Sequence, residues 1–339
     1  MKLKALLLGS AAAMIAVSGA QAADAPIAEP EPVEYVKVCD MYGSGFFYIP
    51  GTETCLKISG EVRTDYIYTD IDSVVPGANQ PAGSQSAFVY RIRLNFDARD
   101  ETDYGTLRSR IRLEGGDGPG SGDANVDVDR ATIQLGGFKI GFDDTFNTTF
   151  HNYGLPVDRD GGFYGFDEAI FAEYVYSANG FSIGAGLQDS ARAGSHVDWE
   201  YYVGARYAGS WGSVAASYLY EEAVDEGSIK GSIEVKAIEN LLIKAWVQID
   251  DGATKEVAGN GDYTFGVGAR YDVSDSFYLA GGWSQAEDFG QEVNRIEIEA
   301  GWNPVPNLTV IPNVIFQDEG TPNLGTESTQ FGLRVIRSF

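Results

Sequence analysis

The stretch Phe88-Val-Tyr-Arg-Ile-Arg-Leu-Asn-Phe-Asp-Ala-Arg99 divides into two faces when it is read as extended chain. Phe88, Tyr90, Ile92, Leu94 and Phe96 fall on one face, and Arg91, Arg93, Asn95, Asp97 and Arg99 on the other. Side chains of a strand point alternately up and down, so this period of two marks a strand with one apolar side. The next segment repeats the split, with Leu107, Ile111 and Leu113 set against Arg108, Arg110 and Arg112. A soluble sandwich alternates in the same way, because its inner face is apolar and its outer face polar. A membrane barrel turns the apolar parity toward lipid and the polar parity toward the lumen. Alternation alone leaves both architectures open.

The connections separate them. Alternating segments occupy 54–71, 86–99, 104–115, 126–136, 138–147, 169–178, 181–190, 199–208, 211–222, 228–238, 241–250, 261–273, 276–287, 292–303, 307–317 and 327–339, sixteen in all. Short turns such as 239–240 and 274–275 alternate with long links such as 72–85, 116–125, 148–168, 251–260 and 318–326. Short turns on one side and long loops on the other are the pattern of an up-and-down outer-membrane barrel, and a sandwich has no reason to sort its loops so. An even count puts both termini on the short-turn, periplasmic side. The last segment sets Phe331, Leu333 and Val335 on the parity of the terminal Phe339, interrupted by Arg337. Pairing it with the first segment closes the sheet and leaves no edge exposed. The expected fold is therefore all-β, a 16-stranded antiparallel transmembrane barrel over residues 54–339.

The rest of the chain fits an exported protein. Lys2 and Lys4 precede an apolar run from Leu6 to Ala16, and Ala20 and Ala22 precede Ala23, so residues 1–22 read as a signal peptide. Residues 23–53 read as a periplasmic lead-in, with Pro26, Pro30 and Pro32 favouring extended chain. Two cysteines, Cys39 and Cys55, lie beyond the signal. In an oxidising compartment they are expected to pair, stabilising the fold by roughly 3 kcal/mol. The net charge of −25 disfavours nucleic acid and anionic surfaces as partners. Glycine contributes 42 residues and mean hydropathy is −0.16, values a soluble β-protein would share.

One run carries a family resemblance. Glu29-Pro-Glu-Pro-Val-Glu-Tyr-Val-Lys-Val-Cys39, the block Tyr48-Ile-Pro-Gly-Thr-Glu-Thr-Cys-Leu-Lys-Ile58 and the closing Arg334-Val-Ile-Arg-Ser-Phe339 resemble the porins of alphaproteobacteria of the Rhizobiales type. That resemblance runs the length of the mature chain. It implies a trimeric general-diffusion pore in the outer membrane, among lipid and lipopolysaccharide, with the third long loop folded into the lumen.

The loop Thr148 to Glu168 is then the expected constriction. Its acidic residues are Asp158, Asp160, Asp167 and Glu168, with Arg159 among them. Parity sets Arg63, Arg91, Arg93, Arg108, Arg110, Arg112, Arg130 and Arg334 toward the lumen as a basic wall. On the lipid face each arginine would cost about 2–4 kcal/mol at the bilayer midplane. A field between wall and loop would sort solutes by size and polarity. Each arginine also has a local lumen carboxylate within reach of pairing, such as Glu61, Asp65, Asp97 or Glu114.

The expected function is passive diffusion of small hydrophilic solutes and ions; the alternative is a channel selective for a sugar or an anion. An enzyme is not expected, because neither His151 nor His196 sits in a nucleophile or metal pattern. His151 lies in the constriction loop, either as a plain polar residue or as a modulator near pH 6–7. The run Gly115–Asp123 holds a single glycine–aspartate unit, whereas calcium-binding repeats must stack. Beyond weak calcium binding at such acidic loops, no cofactor or metal is expected. Trp199, Trp283 and Trp302 fall on lipid parity near segment ends, as an interfacial girdle requires. Trp246 falls on lumen parity with no evident reason.

Overall fold

A β-strand that crosses a bilayer cannot leave backbone groups unpaired, so the alternating segments must find partners on both sides. The structure is a computed structural model, and it describes residues 37–71, 83–117, 125–158, 161–164, 167–190, 198–250, 263–288, 291–318 and 327–339. The signal peptide, residues 23–36 of the lead-in, Asp160 and His196 lie outside the described residues.

A short strand β1 (Phe46–Tyr48) precedes sixteen long ones among the described residues: β2 (Cys55–Ile71), β3 (Gly83–Thr102), β4 (Gly105–Asp117), β5 (Asn125–Leu135), β6 (Phe138–Asp144), β7 (Glu168–Ala178), β8 (Phe181–Asp189), β9 (Glu200–Gly209), β10 (Gly212–Glu221), β11 (Glu226–Ile238), β12 (Leu241–Asp250), β13 (Tyr263–Ser274), β14 (Phe277–Asp288), β15 (Gln291–Val305), β16 (Leu308–Gln317) and β17 (Ser328–Ser338). Each pairs antiparallel with the next, and β17 returns to β2 with Arg334 opposite Asp65. The barrel is closed. Every segment read from the alternation corresponds to one strand.

The turns follow from local chemistry. β7 and β8 are joined by Asn179-Gly180, both at positive φ (51° and 83°), the backbone that a two-residue hairpin matched to strand twist demands. Two-residue links also join β11 to β12 and β13 to β14 on the same rim. The opposite rim carries the long loops, but it is less uniform than the sequence suggests, since β10 and β11 are separated only by residues 222–225.

The packing is inverted relative to a soluble protein. Phe88 is 74 % exposed and Trp302 is 52 % exposed on the outer surface, while Gln188, Glu200, Lys230 and Gln248 are buried on the inner one. Trp199 and Trp283 also face outward. Among the described residues no helix is long and apolar enough to cross a membrane; the strands do the crossing.

Strand ends shift by up to about three residues from the sequence reading, and two of these shifts bear on the loop. The segment 138–147 ends as a strand at Asp144, because Thr145 starts a five-residue helix α1 (Phe146–Phe150) that leaves the wall. Glu168 is the first residue of β7, opposite Asp144, rather than part of the loop. The loop proper is thus 145–167. The lead-in is also more structured than extended chain. β1 pairs with β2 through Phe46–Lys57 and Tyr48–Cys55, on the edge that β17 leaves free by ending at Glu61. The Cys39–Cys55 disulfide fastens it there, and Phe46 packs with the two cysteines in a small buried cluster.

Candidate functional site

The loop 145–167 folds inward because it is built to be buried. Phe146 and Phe150 stack on each other and on Tyr202 of β9, with centroids 4.4 Å apart in both pairs that share Phe146. Ala215 and Leu219 of β10 complete this cluster. Further along, Leu155, Phe163 and Tyr164 pack with Trp246, Ala286 and Val293 from β12, β14 and β15. Tyr164 meets Trp246 edge to face at 5.3 Å. That contact explains the tryptophan on lumen parity: it is part of the seat for the loop. Burying each large apolar side chain is worth about 1.5–3 kcal/mol. The wall gives them room where it has glycine. A Cβ on Gly204 would lie 2.9 Å from both Phe146 and Phe150, and one on Gly282 would lie 2.5 Å from Leu155.

Polar contacts then fix the orientation. A buried loop must satisfy its backbone groups. Lys244 donates to the carbonyls of Asn152 and Tyr153 at 2.6 and 2.5 Å. Lys230 donates to the Tyr164 carbonyl at 3.4 Å, and Arg206 to the Phe150 carbonyl at 3.2 Å. At the tip the wall accepts instead: Glu299 takes the Asp158 N–H at 2.8 Å and Glu297 the Gly162 N–H at 2.9 Å. Tyr278 reaches the Asp158 carboxylate at 3.2 Å, and Arg334 donates to the Asp158 carbonyl. The loop therefore leaves the wall at β6 and is pinned at its tip to β14, β15 and β17.

His151 is wedged at the root of the loop, 2 % exposed. Its Nε2 lies 2.8 Å from Ser217 Oγ and its Nδ1 lies 2.7 Å from Ser232 Oγ. Ser217 gives its own hydrogen to Asn147 Oδ1, so it accepts from Nε2–H, and Nδ1 accepts from Ser232. Burial, together with Lys230, Lys244 and Arg206, pushes the imidazole down to about 2. It stays neutral near pH 6–7 while the loop is seated, so it does not take up a charge in place as its ordinary pKa suggested.

Between the loop and the wall β2–β6 lies a cavity of about 830 Å³. Arg63, Arg91, Arg93, Arg112 and Arg334 line it, together with Glu61, Glu114, Asp129, Asp144, Asp158, Asp167 and Glu168. The charges are paired in place as well as across the opening. Arg91 bonds Glu61 at 2.6 Å, Arg93 bonds Glu114, and Arg112 bonds Asp129. Arg63 and Arg334 share Asp65 at 2.9 and 2.6 Å. Three arginines of the expected wall lie elsewhere. Arg130 is buried between Asp143 and Asp144, Arg108 grips Asp97 through two bonds, and Arg110 lies beside them. None of these three borders the cavity among the described residues.

A closed barrel with a loop seated inside it and a charged opening beside the loop is the architecture of a pore, and the comparisons identify which kind. The family described as "Porin subfamily" matches residues 24–332. The chain belongs to this porin subfamily. It is 34 % identical to Porin Omp2a of Brucella ovis over 94 % of this chain and 99 % of that protein, and 33 % identical to Porin Omp2b of Brucella canis over the full length of both. The fold matches the outer membrane channel DcaP of Acinetobacter baumannii with a TM-score of 0.68 at 13 % identity, over 86 % of this chain and 99 % of that one. It matches Salmonella typhi OmpF with a TM-score of 0.66 at 13 % identity, over 85 % and 98 %. The protein is thus an outer-membrane channel, as the alternation, loop sorting and closing strand led one to expect.

Several residues that make this porin's opening escape sequence reading. Asp129 and Asp144 line the cavity but sit next to strand irregularities, a bulge at Arg112/Leu113 and the end of β6, where parity is unreliable. Lys230 and Lys244 did carry a signal, as lysines on the lumen parity of β11 and β12, but nothing in the chain says that a loop lies over them.

Proposed function

We propose that the opening between loop 145–167 and strands β2–β6 is the permeability filter, passing small hydrophilic solutes and ions by diffusion without chemical change. The observation that carries this reading is the composition of the cavity wall: five arginines and seven carboxylates line it among the described residues. Asp158 and Asp167 come from the loop and Glu168 from the start of β7 beside it, while the arginines come from β2, β3, β4 and β17, so a field runs across the opening. Asp160, expected beside Asp158, lies outside the described residues. Ordered water in such a field is costly to displace, which favours polar solutes over apolar ones of equal size. The excess of carboxylates over arginines favours cations, in agreement with the net charge of −25.

In this reading the functional unit is a homotrimer, as resemblance to Vibrio cholerae OmpT, described in its trimer form, supports. The outward apolar band meets lipid, and the acidic external loops meet lipopolysaccharide through divalent cations. The test is the reversal potential of purified protein in a planar bilayer under a salt gradient. Wild type should prefer cations; Arg93→Glu should strengthen that preference, and Asp158→Asn should weaken it, with conductance retained in both. Identical reversal potentials in all three would remove the filter from this site.

A further inference from the structure

A guanidinium in a pore wall turns its five donors to a carboxylate partner, to lumen water or to an incoming anion, and only a carboxylate or an anion also meets its charge. The lumen row of β4 shows the contrast. Arg108, Arg110 and Arg112 follow one another at intervals of roughly 7 Å, two residues of extended chain. Arg112 is paired with Asp129, and Arg108 with Asp97 at 2.6 and 2.9 Å. The side chain of Arg110, half-buried between them, makes no hydrogen bond or ion pair among the described residues.

Its surroundings explain why. The residues across from it are Asp97 on β3 and Thr132 on β5. The electrostatic neighbours of Arg110 are Arg130 and Arg108 on one side of the balance, Asp143 and Asp97 on the other. Both carboxylates are already engaged twice. Asp97 holds Arg99 through two bonds at 3.0 and 2.8 Å as well as Arg108. Asp143 holds Arg130 and, at 3.4 Å, Lys139. Arg110 is the surplus cation of this cluster, set one step below the opening on the side of the short turns.

We infer that Arg110 is an anion-binding station between the constriction and the periplasmic rim, taking the oxyanion end of a solute, a carboxylate or a phosphate, through two parallel N–H···O bonds. The inference rests on the reading of the barrel as an open pore. The arginines above each have a carboxylate against them that already meets their charge and repels an incoming anion, whereas Arg110 has none bonded to it. Arg108 and Arg130 add long-range attraction, while their own donors stay on Asp97, Asp143 and Asp144. An oxyanion that has passed the acidic opening therefore pauses here before release.

The experiment compares purified wild-type, Arg110→Gln and Arg110→Lys channels in planar bilayers. Conductance is followed as potassium phosphate or potassium acetate rises, each divided by conductance in potassium chloride at equal ionic strength. In wild type this ratio should fall and saturate with both oxyanions. The half-saturating concentration should rise about tenfold or more in Arg110→Gln, as expected for losing charge-assisted hydrogen bonds. Arg110→Lys keeps the charge but not the planar fork, so it should fall between the two; should Arg110→Gln fail to assemble, that variant decides. A ratio that does not saturate in wild type, or that is the same in all three channels, overturns the station and leaves the pore reading intact. Absence of any wild-type conductance would overturn both.

Discussion

Replacing Gly204 with leucine should unseat the constriction loop while leaving the barrel closed. Gly204 lies on the lumen face of β9, and a Cβ there would stand 2.9 Å from a ring carbon of Phe146 and 2.9 Å from one of Phe150. Both rings are stiff and already stacked, so neither can rotate aside within the cluster. Alanine at this position overpacks by about 1–3 kcal/mol, a change of roughly 5- to 150-fold in the ratio of seated to unseated loop. Leucine adds three further carbons. The overlap then competes with the about 3–6 kcal/mol that burying the two phenylalanines contributes, and the root of the loop comes away. Single-channel recording reads the outcome directly. Arg206 and Lys244, which hold the carbonyls of Phe150, Asn152 and Tyr153, lose their acceptors as well, so release should be cooperative. Gly204→Ala should flicker between two conductance levels, and Gly204→Leu should rest at the larger level and admit larger polymers. Gly231→Ala is the control, because a Cβ there meets nothing nearer than Val247 at 3.7 Å. If Gly204→Leu keeps wild-type conductance and polymer cutoff, the glycine hollow is not what seats the loop.

The other predictions concern the same loop and the rim. The pKa of His151 is about 2 in the seated loop against an ordinary 6.5, so its contribution is complete above pH 6.5 and is lost as pH falls toward 2. By pH 5 that loss is about 2 kcal/mol, and flicker should grow between pH 6.5 and 5. His151→Gln, which does not titrate, should abolish that growth; equal acid sensitivity in both proteins would assign it to other groups. Lys244→Met should destabilise the seated loop by about 1–3 kcal/mol for each carbonyl left without a donor, seen as faster protease cleavage within 145–167 of the folded barrel. Cys39→Ser should lower stability by roughly 3 kcal/mol and expose the lead-in to protease without changing conductance in the main opening.

The wall was legible in the sequence because lipid imposes a strict rule on each strand separately. Phe88 to Arg99 needs no knowledge of its neighbours to show which side faces lipid, and the same holds along the other strands except at irregularities such as the bulge at Arg112/Leu113 and the end of β6. The loop is legible only in outline. Its length and carboxylates are visible, but its seat is made by Gly204, Gly282, Trp246, Lys230 and Lys244, which lie far away in sequence. Parity puts each of these in the lumen without saying what they meet there. The same limit applies to the arginines. Parity treats all eight alike, whereas the structure divides them by partner: Arg130 belongs to Asp143 and Asp144, Arg108 to Asp97, and Arg110 to none among the described residues. Pairing depends on strand register, and the bulge at Arg112/Leu113 brings Asp129 to Arg112 where simple alternation would not.

The inner face of the barrel is largely polar among the described residues, and the loop brings apolar side chains to it. Among the described residues, Leu155, Phe163 and Tyr164 with Trp246, and Phe146 and Phe150 with Tyr202, form two buried clusters inside the ring. The residues that narrow the opening are thus continuous with those that fill the interior. A substitution that loosens this packing should change permeability before it unfolds the barrel, because the strand ladders do not depend on the loop. Ladder pairing and loop seating are therefore separable. Heat or denaturant should act on the loop first, so conductance should lose its regularity at a lower temperature than the β-sheet signal disappears. A single transition for both measurements would show instead that the buried clusters hold the wall together as well as the gate.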